Sequence, residues 1–293
     1  MGAADIVPGV SGGTIAFISG IYERLLAALS SFAGPAVRLL LKGQFRAFWL
    51  AVDANFLCVL FSGILVSIFS LSSTISYLLA NWPHLVWAFF LGLVLASVWH
   101  VAKMIRQWCF NRFVALVVGA VVAYLLTALQ WSHLAPLPQN IFLAGFIAIS
   151  AMILPGISGS FILLILGLYQ HVLGAIKSLD VTTIGLFACG CATGLLVMAK
   201  FLTWAFRHFH DITMALLTGF LIGAMNKLWP WKETVSWRTD SHGEKIPFEQ
   251  IPVSPLHFEQ INGTSPDLAF ALLLLVAGIG VVVVVEVLGR EKR

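Results

Sequence analysis

The sequence predicts an all-α membrane protein that crosses the bilayer several times and consists of two related halves of inverted topology. Hydrophobic residues form 59% of the 293 residues, charged residues only 10%, and the mean hydropathy is +0.95. Soluble domains carry roughly 25% charged residues, so this chain has too few to cover a surface that faces water. The first residues of the chain include Asp5 and lack the basic segment with which a cleavable signal peptide begins, so we expect no such peptide.

A Pro-Gly-x-Ser-Gly motif occurs twice, at residues 8–12 and again 147 positions later at residues 155–159. The segments around the two copies are also alike, because residues 4–28 and 151–175 have 12 of 25 positions identical. In both places the motif interrupts a very apolar stretch. Apolar segments interrupted by Gly and Pro at matching places in two halves are the best sequence indicator of a transporter's binding site.

Hydropathy predicts six complete spans and two interrupted segments. A spanning helix needs about 20 mostly apolar residues, and the predicted spans lie near residues 50–70, 84–102, 113–131, 182–204, 212–228 and 267–288. We interpret the interrupted segments, residues 3–30 and 140–176, as re-entrant helical hairpins, because lipid cannot satisfy the backbone groups that each break leaves unpaired. The first hairpin has almost no chain before its break, so its entry arm is either very short or incomplete.

The basic residues predict the orientation of the spans, since Lys and Arg are enriched in cytoplasmic loops. If the first hairpin opens to the cytoplasm, 12 of the 17 Lys and Arg residues face inward. Each predicted half, residues 1–139 and 140–293, is then one hairpin plus three spans, and the second half is inverted relative to the first. The polar segment 229–265 lies outside the cell in this topology and contains a predicted small β-hairpin. The expected location is a bacterial cytoplasmic (inner) membrane.

Several smaller patterns complete the structural prediction. Gly190 with Gly194, and Gly219 with Gly223, have the spacing of small residues at which membrane helices pack closely. His208 and His210 are interpreted as loop residues between two spans. The cysteines and histidines have no metal-binding spacing, so we expect neither a metal ion nor another cofactor.

Each motif has the chemistry of an anion site. The helix that resumes after the break has first amides without an intrahelical partner, and these favour a negative group. Glycines let a ligand approach the backbone closely, and serine and threonine add hydroxyl donors. The predicted phosphate-binding residues are Pro8, Gly9, Ser11, Gly12, Gly13, Thr14, Pro155, Gly156, Ser158, Gly159 and Ser160. The alternative is that these glycines and prolines only shape tight hairpin turns.

Three charged residues near the first motif are further candidates, because charges inside a membrane are costly and are therefore usually functional. Arg24 is either a counter-charge for a bound phosphate or an interfacial anchor. Asp5 and Glu23 are candidates for proton or charge coupling, and Asp5 has the alternative role of a helix cap.

The first motif can also be interpreted as a catalytic serine site, but this interpretation has less support than the anion site. Residues 9–13 fit the G-x-S-x-G pattern of serine nucleophiles, and Gly-x-Ser-Gly also resembles the nucleophile motif of rhomboid intramembrane proteases, with His100 or His133 as the base. Acyl transfer, however, needs one nucleophile with one positioned base. This chain has two equivalent serines and no repeated histidine, so we predict that it is not an enzyme.

The longest motifs resemble the signature of a bacterial polyprenyl-phosphate transporter family that was long known only as a membrane domain of unknown function. The matching segments are residues 1–17, 20–25, 88–93 and 154–160. Family members usually have a longer segment before the first motif. The resemblance covers essentially the whole chain. It implies a transporter that returns undecaprenyl phosphate, an anionic lipid with a single phosphate, from the outer to the cytoplasmic leaflet by alternating access.

The partners implied by this resemblance are the anionic polyprenyl lipid and the membrane, with no nucleic acid. The chief alternative is a secondary transporter of another small anion, since the chemistry of the motif suits phosphates and carboxylates alike. A lateral opening toward lipid would distinguish the two, because a soluble ion needs none. The sequence indicates neither the energy source nor the oligomeric state.

Overall fold

The computed structural model describes residues 1–6, 11–128, 134–239 and 245–290, and within them the chain is almost entirely helical. The helices are α1 (Gly2–Ile6), α2 (Gly12–Ile18), α3 (Tyr22–Ser31), α4 (Pro35–Leu41), α5 (Phe45–Ala51), α6 (Ala54–Asn81), α7 (Pro83–Met104), α8 (Phe110–Ala128), α9 (Pro138–Ile153), α10 (Gly159–Ile165), α11 (Tyr169–Ser178), α12 (Val181–Leu228), α13 (Pro255–Asn262) and α14 (Leu268–Arg290). The only strands in the described residues are β1 (Lys232–Thr239) and β2 (Lys245–Pro252). The predicted class, an all-α polytopic membrane protein, is confirmed.

Four helices in the described residues are long and apolar enough to cross a membrane: α6, α7, α8 and α12. α12 has 48 residues, which is room for two spans, and its backbone leaves the helical conformation at Phe209 (φ −137°, ψ 48°). We refer to residues 181–208 as α12a and to residues 210–228 as α12b. Large apolar side chains on these helices are exposed, for example Phe69 on α6 and Val197 on α12a, as expected for surfaces that contact lipid.

The structure differs from the predicted spans in two places. α6 continues to Asn81, eleven residues past the predicted end, and polar side chains near that end are accommodated by bonds within the helix. Ser70 shows this, since its hydroxyl donates to the carbonyl oxygen of Val66 at 2.7 Å. The interpretation of His208 and His210 as loop residues was wrong, because both lie on helical turns on either side of the break at Phe209.

The two predicted glycine pairs lie at close helix contacts, which confirms their interpretation. Gly190 and Gly194 of α12a face the carbonyl oxygens of Phe142 and Phe146 on α9, so closely that a side chain would clash. The order of these contacts shows that α9 and α12a run parallel. A parallel arrangement is expected when a hairpin arm and the following span both start at the same membrane face.

Two further helix pairs run parallel and use the same kind of contact. In α8 and α12b, Gly219 faces Leu116 and Gly223 faces Ala120. In α7 and α14, Gly92 faces Leu275 and Gly278 faces Phe89. A histidine contacts a carboxylate at each end of this pair, His84 with Asp267 at 3.2 Å and His100 with Glu286 at 3.0 Å. The second span of each predicted half thus packs against the third span of the other half. Two inverted halves related by a twofold axis would show such reciprocal contacts. The inverted repeat itself stays a prediction.

The predicted β-hairpin is present in the polar segment 229–265. β1 and β2 pair antiparallel, from Lys232 opposite Pro252 to Thr239 opposite Lys245. Trp231, at the base of the hairpin, is buried with Ala88 of α7 and Ala271 of α14, and its indole N–H donates to the carbonyl oxygen of Pro266 at 2.9 Å. The hairpin therefore lies over one end of the α7–α14 pair.

Candidate functional site

The first motif begins α2, and its helix start is satisfied by groups of the same chain. Ser11 is the N-cap (φ −119°, ψ 133°), and its hydroxyl accepts a hydrogen bond from the amide of Gly13 at 3.1 Å. The carboxylate of Asp5 on α1 accepts from the amide of Gly12 at 2.6 Å. A negative group of the protein thus already occupies the positive end of α2. Pro8 and Gly9 lie outside the described residues.

The second motif also places its serine at the start of a helix, with extended backbone angles (φ −99°, ψ 131°), but it has a different set of partners. Gly156 has φ +90°, a conformation that side chains rarely adopt, and a Cβ there would lie 3.1 Å from the carbonyl oxygen of Phe220 on α12b. Ser158 is the N-cap of α10 but makes no side-chain capping bond. Its hydroxyl lies 2.9 Å from that of Ser160, which is exposed. In the alignment of the two motifs Met152 takes the place of Asp5, so this position supplies no carboxylate to α10.

The structure brings the two motifs into direct contact. The Ser11 hydroxyl donates to the carbonyl oxygen of Met152 at 3.0 Å, and the Gly156 amide donates to the Thr14 hydroxyl at 2.8 Å. Ser11 and Thr14 are each only 1% exposed. Segments more than 140 residues apart in sequence are therefore joined by hydrogen bonds at the two breaks.

Further residues pack at this contact, and one of them, Tyr22, was not among the predicted site residues. The hydroxyl of Tyr22, which follows the first motif, donates to the carbonyl oxygen of Ile153 at 3.0 Å. Gly13 lies against the backbone of the other motif, where a Cβ would come within 2.9 Å of the carbonyl oxygen of Ile153. Pro155 and Gly159 are buried beside it. Of the predicted phosphate-binding residues that the structure describes, all except Arg24 thus belong to the two motifs in contact.

Arg24 lies apart from the joined motifs and has a partner. Its guanidinium makes two hydrogen bonds to the Asp53 carboxylate, at 2.6 and 3.1 Å, and lies 4.4 Å from the centre of the Phe56 ring. The Arg24 side chain is 59% exposed.

Glu23 points toward the break in α12. Its carboxylate lies 3.2 Å from Nε2 of His210, and His210 also contacts Asp211, which pairs with Arg112 at 3.0 Å. Glu23 lines a cavity of about 200 Å³ together with Leu26, Ala27, Thr203, Phe206 and Arg207. The predicted coupling residue is therefore part of a charged network that links α3, α12 and α8.

Sequence reasoning missed two lysines near the second motif. Lys227, in the last turn of α12b, places its ammonium 4.7 Å from the centre of the Phe161 ring, and Phe161 directly follows Ser160. Lys232 places its ammonium 3.9 Å from the centre of the Trp87 ring and donates to the carbonyl oxygen of Lys227 at 2.6 Å. The one sequence signal was Lys227 itself, since a lysine inside an apolar span is a candidate functional residue.

Comparison with known proteins decides the family. A family model described as VCA0040-like, undecaprenyl phosphate translocase-like, matches residues 1–246. The chain belongs to this family. The resemblance of the sequence motifs is thereby confirmed, and the protein is a multi-pass membrane protein of this family.

Two relatives of known name cover most of the chain. A polyprenyl-phosphate transporter of Vibrio cholerae serotype O1 is 45% identical over 293 residues, which is 100% of this chain and 93% of that protein. A polyprenyl-phosphate transporter of Staphylococcus aureus is 30% identical over 257 residues, or 81% of this chain and 86% of that protein. No solved structure matches the chain. Both relatives are named as transporters, in agreement with the prediction that the chain is not an enzyme.

Proposed function

We propose that this protein transports undecaprenyl phosphate from the outer to the cytoplasmic leaflet of the bacterial inner membrane, with the phosphate held where the two motifs meet. The observation that carries the proposal is the direct contact of the two Pro-Gly-x-Ser-Gly motifs, seen in the bonds from Ser11 to Met152 and from Gly156 to Thr14. The names of the two relatives support a polyprenyl phosphate as the substrate.

The substrate has an anionic head and a long apolar tail, and each part needs a different environment. A charged head cannot cross hydrocarbon unaided, whereas the tail can stay in lipid throughout. Hydroxyl and amide donors at the joined motifs replace the water around the phosphate, because hydrogen bonds to a charged group are about twice as strong as neutral ones. The protein therefore has to carry only the head across the bilayer centre.

The two motifs have different parts in this proposal. The hydroxyls of Ser11 and Thr14 are buried and already bonded, so they hold the motifs together. The hydroxyls of Ser158 and Ser160 are more accessible and bond only to each other among the described residues, so they turn toward the head group. Arg24 contributes its charge only in a state where its pair with Asp53 has opened.

Alternating access completes the proposal. Rocking of the two inverted halves exposes the joined motifs first to the face that carries the β-hairpin and then to the opposite face. In the orientation predicted from the basic residues, the β-hairpin face is outside the cell. Glu23 and Asp5 stay candidates for proton coupling in this cycle.

The test is transport in vesicles that contain only this protein and a fluorescent polyprenyl phosphate. We expect the label to cross the bilayer with the protein and not without it, and the variant S11L/S158L to abolish transport because bulky side chains block the contact. S62L is the matched control, since Ser62 is an exposed serine on α6 whose hydroxyl donates to the carbonyl oxygen of Val59 in its own helix. Full transport by S11L/S158L would contradict the proposal, and uptake of inorganic phosphate instead of the lipid would favour a small-anion transporter.

A further inference from the structure

The chain between α3 and α6 forms two helices that are too short to cross a membrane. α4 and α5 have seven residues each, which is about 10 Å of helix against about 30 Å of hydrocarbon. Gly43 turns the chain between them with φ +71°. Because the spanning helix α6 starts soon after α5, the two short helices lie at the membrane surface.

One side of this helix pair is fixed to its neighbours in the protein. The rings of Phe32 and Phe48 pack edge to face with their centres 5.9 Å apart, which joins the end of α3 to α5. The indole N–H of Trp49 donates to the side-chain oxygen of Asn55 on α6 at 3.0 Å. Val52, between α5 and α6, is only 1% exposed. These contacts determine which side of α4 and α5 faces away from the protein.

The outward side carries large apolar side chains. Six of them are between 41% and 82% exposed: Val37, Leu40, Leu41, Phe45, Trp49 and Leu50. The three on α4 have the spacing that places residues on one face of a helix. An exposed apolar patch of this kind marks a surface that contacts a membrane or another molecule.

Positive charges without a carboxylate partner accompany this apolar surface. Arg38, Lys42 and Arg46 are exposed, and within the part of the chain that the structure describes none of them forms an ion pair. Arg38 and Lys42 are four residues apart and share a face of α4 that differs from the apolar one. Asp53, the carboxylate that follows them in the sequence, is held by Arg24 at 2.6 Å.

We propose that residues 37–50, the α4–α5 surface, bind the head groups of anionic phospholipids such as phosphatidylglycerol. A helical element with Lys and Arg beside exposed Leu, Phe and Trp lies in the plane of the interface, with its apolar side chains in the acyl boundary and its cations at the lipid phosphates. The three cations are distributed over two helices and the turn between them, so they suit several phospholipids rather than one transported molecule. This binding is additional to the proposed transport and does not depend on it.

The experiment measures the Kd of a fluorescent phosphatidylglycerol and of the matching phosphatidylcholine for the full-length protein in detergent micelles. Each cation near anionic lipid contributes roughly a fivefold gain in affinity. For R38Q/K42Q/R46Q we therefore expect the Kd of phosphatidylglycerol to rise at least about tenfold, with that of phosphatidylcholine within about twofold. R38K/R46K should keep the preference for phosphatidylglycerol, because all three charges remain. Added salt should weaken the preference of the unchanged protein.

The matched control removes three positive charges from other helices. K103Q/R106Q/K200Q changes three exposed residues, at the end of α7, directly after it and on α12a. The orientation predicted from the basic residues places them on the same membrane face as α4 and α5. We expect this variant to bind phosphatidylglycerol within about twofold of the unchanged protein, because its cations do not adjoin the α4–α5 surface.

Several outcomes would overturn the inference. Equal Kd values of the two phospholipids for the unchanged protein would do so, and so would a loss in the control variant as large as that in R38Q/K42Q/R46Q. If R38Q/K42Q/R46Q kept its affinity for phosphatidylglycerol but lost that for polyprenyl phosphate, the surface would serve the transported lipid instead. A dimer that L41S/L50S separates into monomers would assign the surface to a second copy of the chain. Absence of polyprenyl-phosphate transport in vesicles, with the phosphatidylglycerol preference intact, would contradict the proposed function alone.

Discussion

The two Pro-Gly-x-Ser-Gly motifs are close copies in sequence but differ in how their polar groups are used. In the first motif Ser11 and Thr14 are buried and bonded across to the second, and Asp5 fills the start of α2. In the second motif the serine hydroxyls are accessible. The comparison teaches that duplication of a motif does not duplicate its role. In the function proposed above, the first copy therefore anchors the two motifs to each other and the second binds the phosphate.

The largest expected effect comes from giving the second motif the carboxylate of the first. Met152 corresponds to Asp5, so M152D places a negative charge near the start of α10. Repulsion between this charge and the phosphate at short range should raise the Kd of polyprenyl phosphate at least about tenfold. M152N is the neutral control of the same shape and should retain most of the binding. Equal Kd values for M152D and M152N would show that the head group does not bind near α10.

The next effect separates the hydroxyls of the two motifs. S11A/T14A removes two of the three hydrogen bonds that join the motif regions and should lower the free energy of unfolding by about 2 kcal/mol, at roughly 1 kcal/mol for each bond. S158A/S160A removes accessible hydroxyls and should leave thermal stability nearly unchanged while it weakens phosphate binding several-fold. Thermal unfolding and lipid binding measured on both variants check the difference. The reverse pattern, with stability lost in S158A/S160A alone, would exchange the roles assigned to the two copies.

A smaller effect is expected from D5N. The amide keeps an acceptor for the Gly12 amide but loses the negative charge that stabilises the start of α2. The free energy of unfolding should fall by about 0.5–1 kcal/mol, the usual size of a charge effect at a helix end. Phosphate binding should hold or improve slightly, because a repelling charge has gone. A tenfold loss of transport with unchanged binding would instead assign proton coupling to Asp5.

The smallest effect is expected from R24Q. Arg24 is exposed and paired with Asp53, and exposed ion pairs contribute only about 0–1 kcal/mol. Transport by R24Q should stay within about twofold of the unchanged protein if Arg24 acts only as an anchor of α3 on α6. A loss of transport as large as that of S11L/S158L would make Arg24 a counter-charge for the phosphate.

Much of the architecture could be predicted from local patterns. The repeated motif predicted two breaks, and the glycine pairs at residues 190 and 194 and at 219 and 223 predicted helix contacts, because both signals reside in neighbouring residues. The break at Phe209 was harder to place, since neither Gly nor Pro marks it. The contact of Lys227 with Phe161 could not be predicted for another reason. Phe161 lies on a helix far away in sequence, and no local pattern shows which distant helix a side chain will meet.

The pairing of Arg24 with Asp53 illustrates the same limit. In the sequence Arg24 had two interpretations, a counter-charge for phosphate and an interfacial anchor. The mutual neutralisation of Arg24 and Asp53 depends on α3 lying beside the start of α6, where Asp53 adopts φ +49° just before that helix. Hydropathy and charge counting predict that such residues lie near the membrane surface, but they do not predict which residues form ion pairs.

Leakage of ions through the protein when no lipid is bound depends on the contact between the two motif regions. Three hydrogen bonds hold this contact closed, and they involve Ser11, Thr14 and Tyr22. Opening a path between the motifs requires all three bonds to break. At about 1 kcal/mol each, this opening costs about 3 kcal/mol, so roughly one molecule in a hundred is open without a ligand. If the proposed alternating-access cycle holds, we expect the protein without bound lipid to conduct few protons or ions across the membrane.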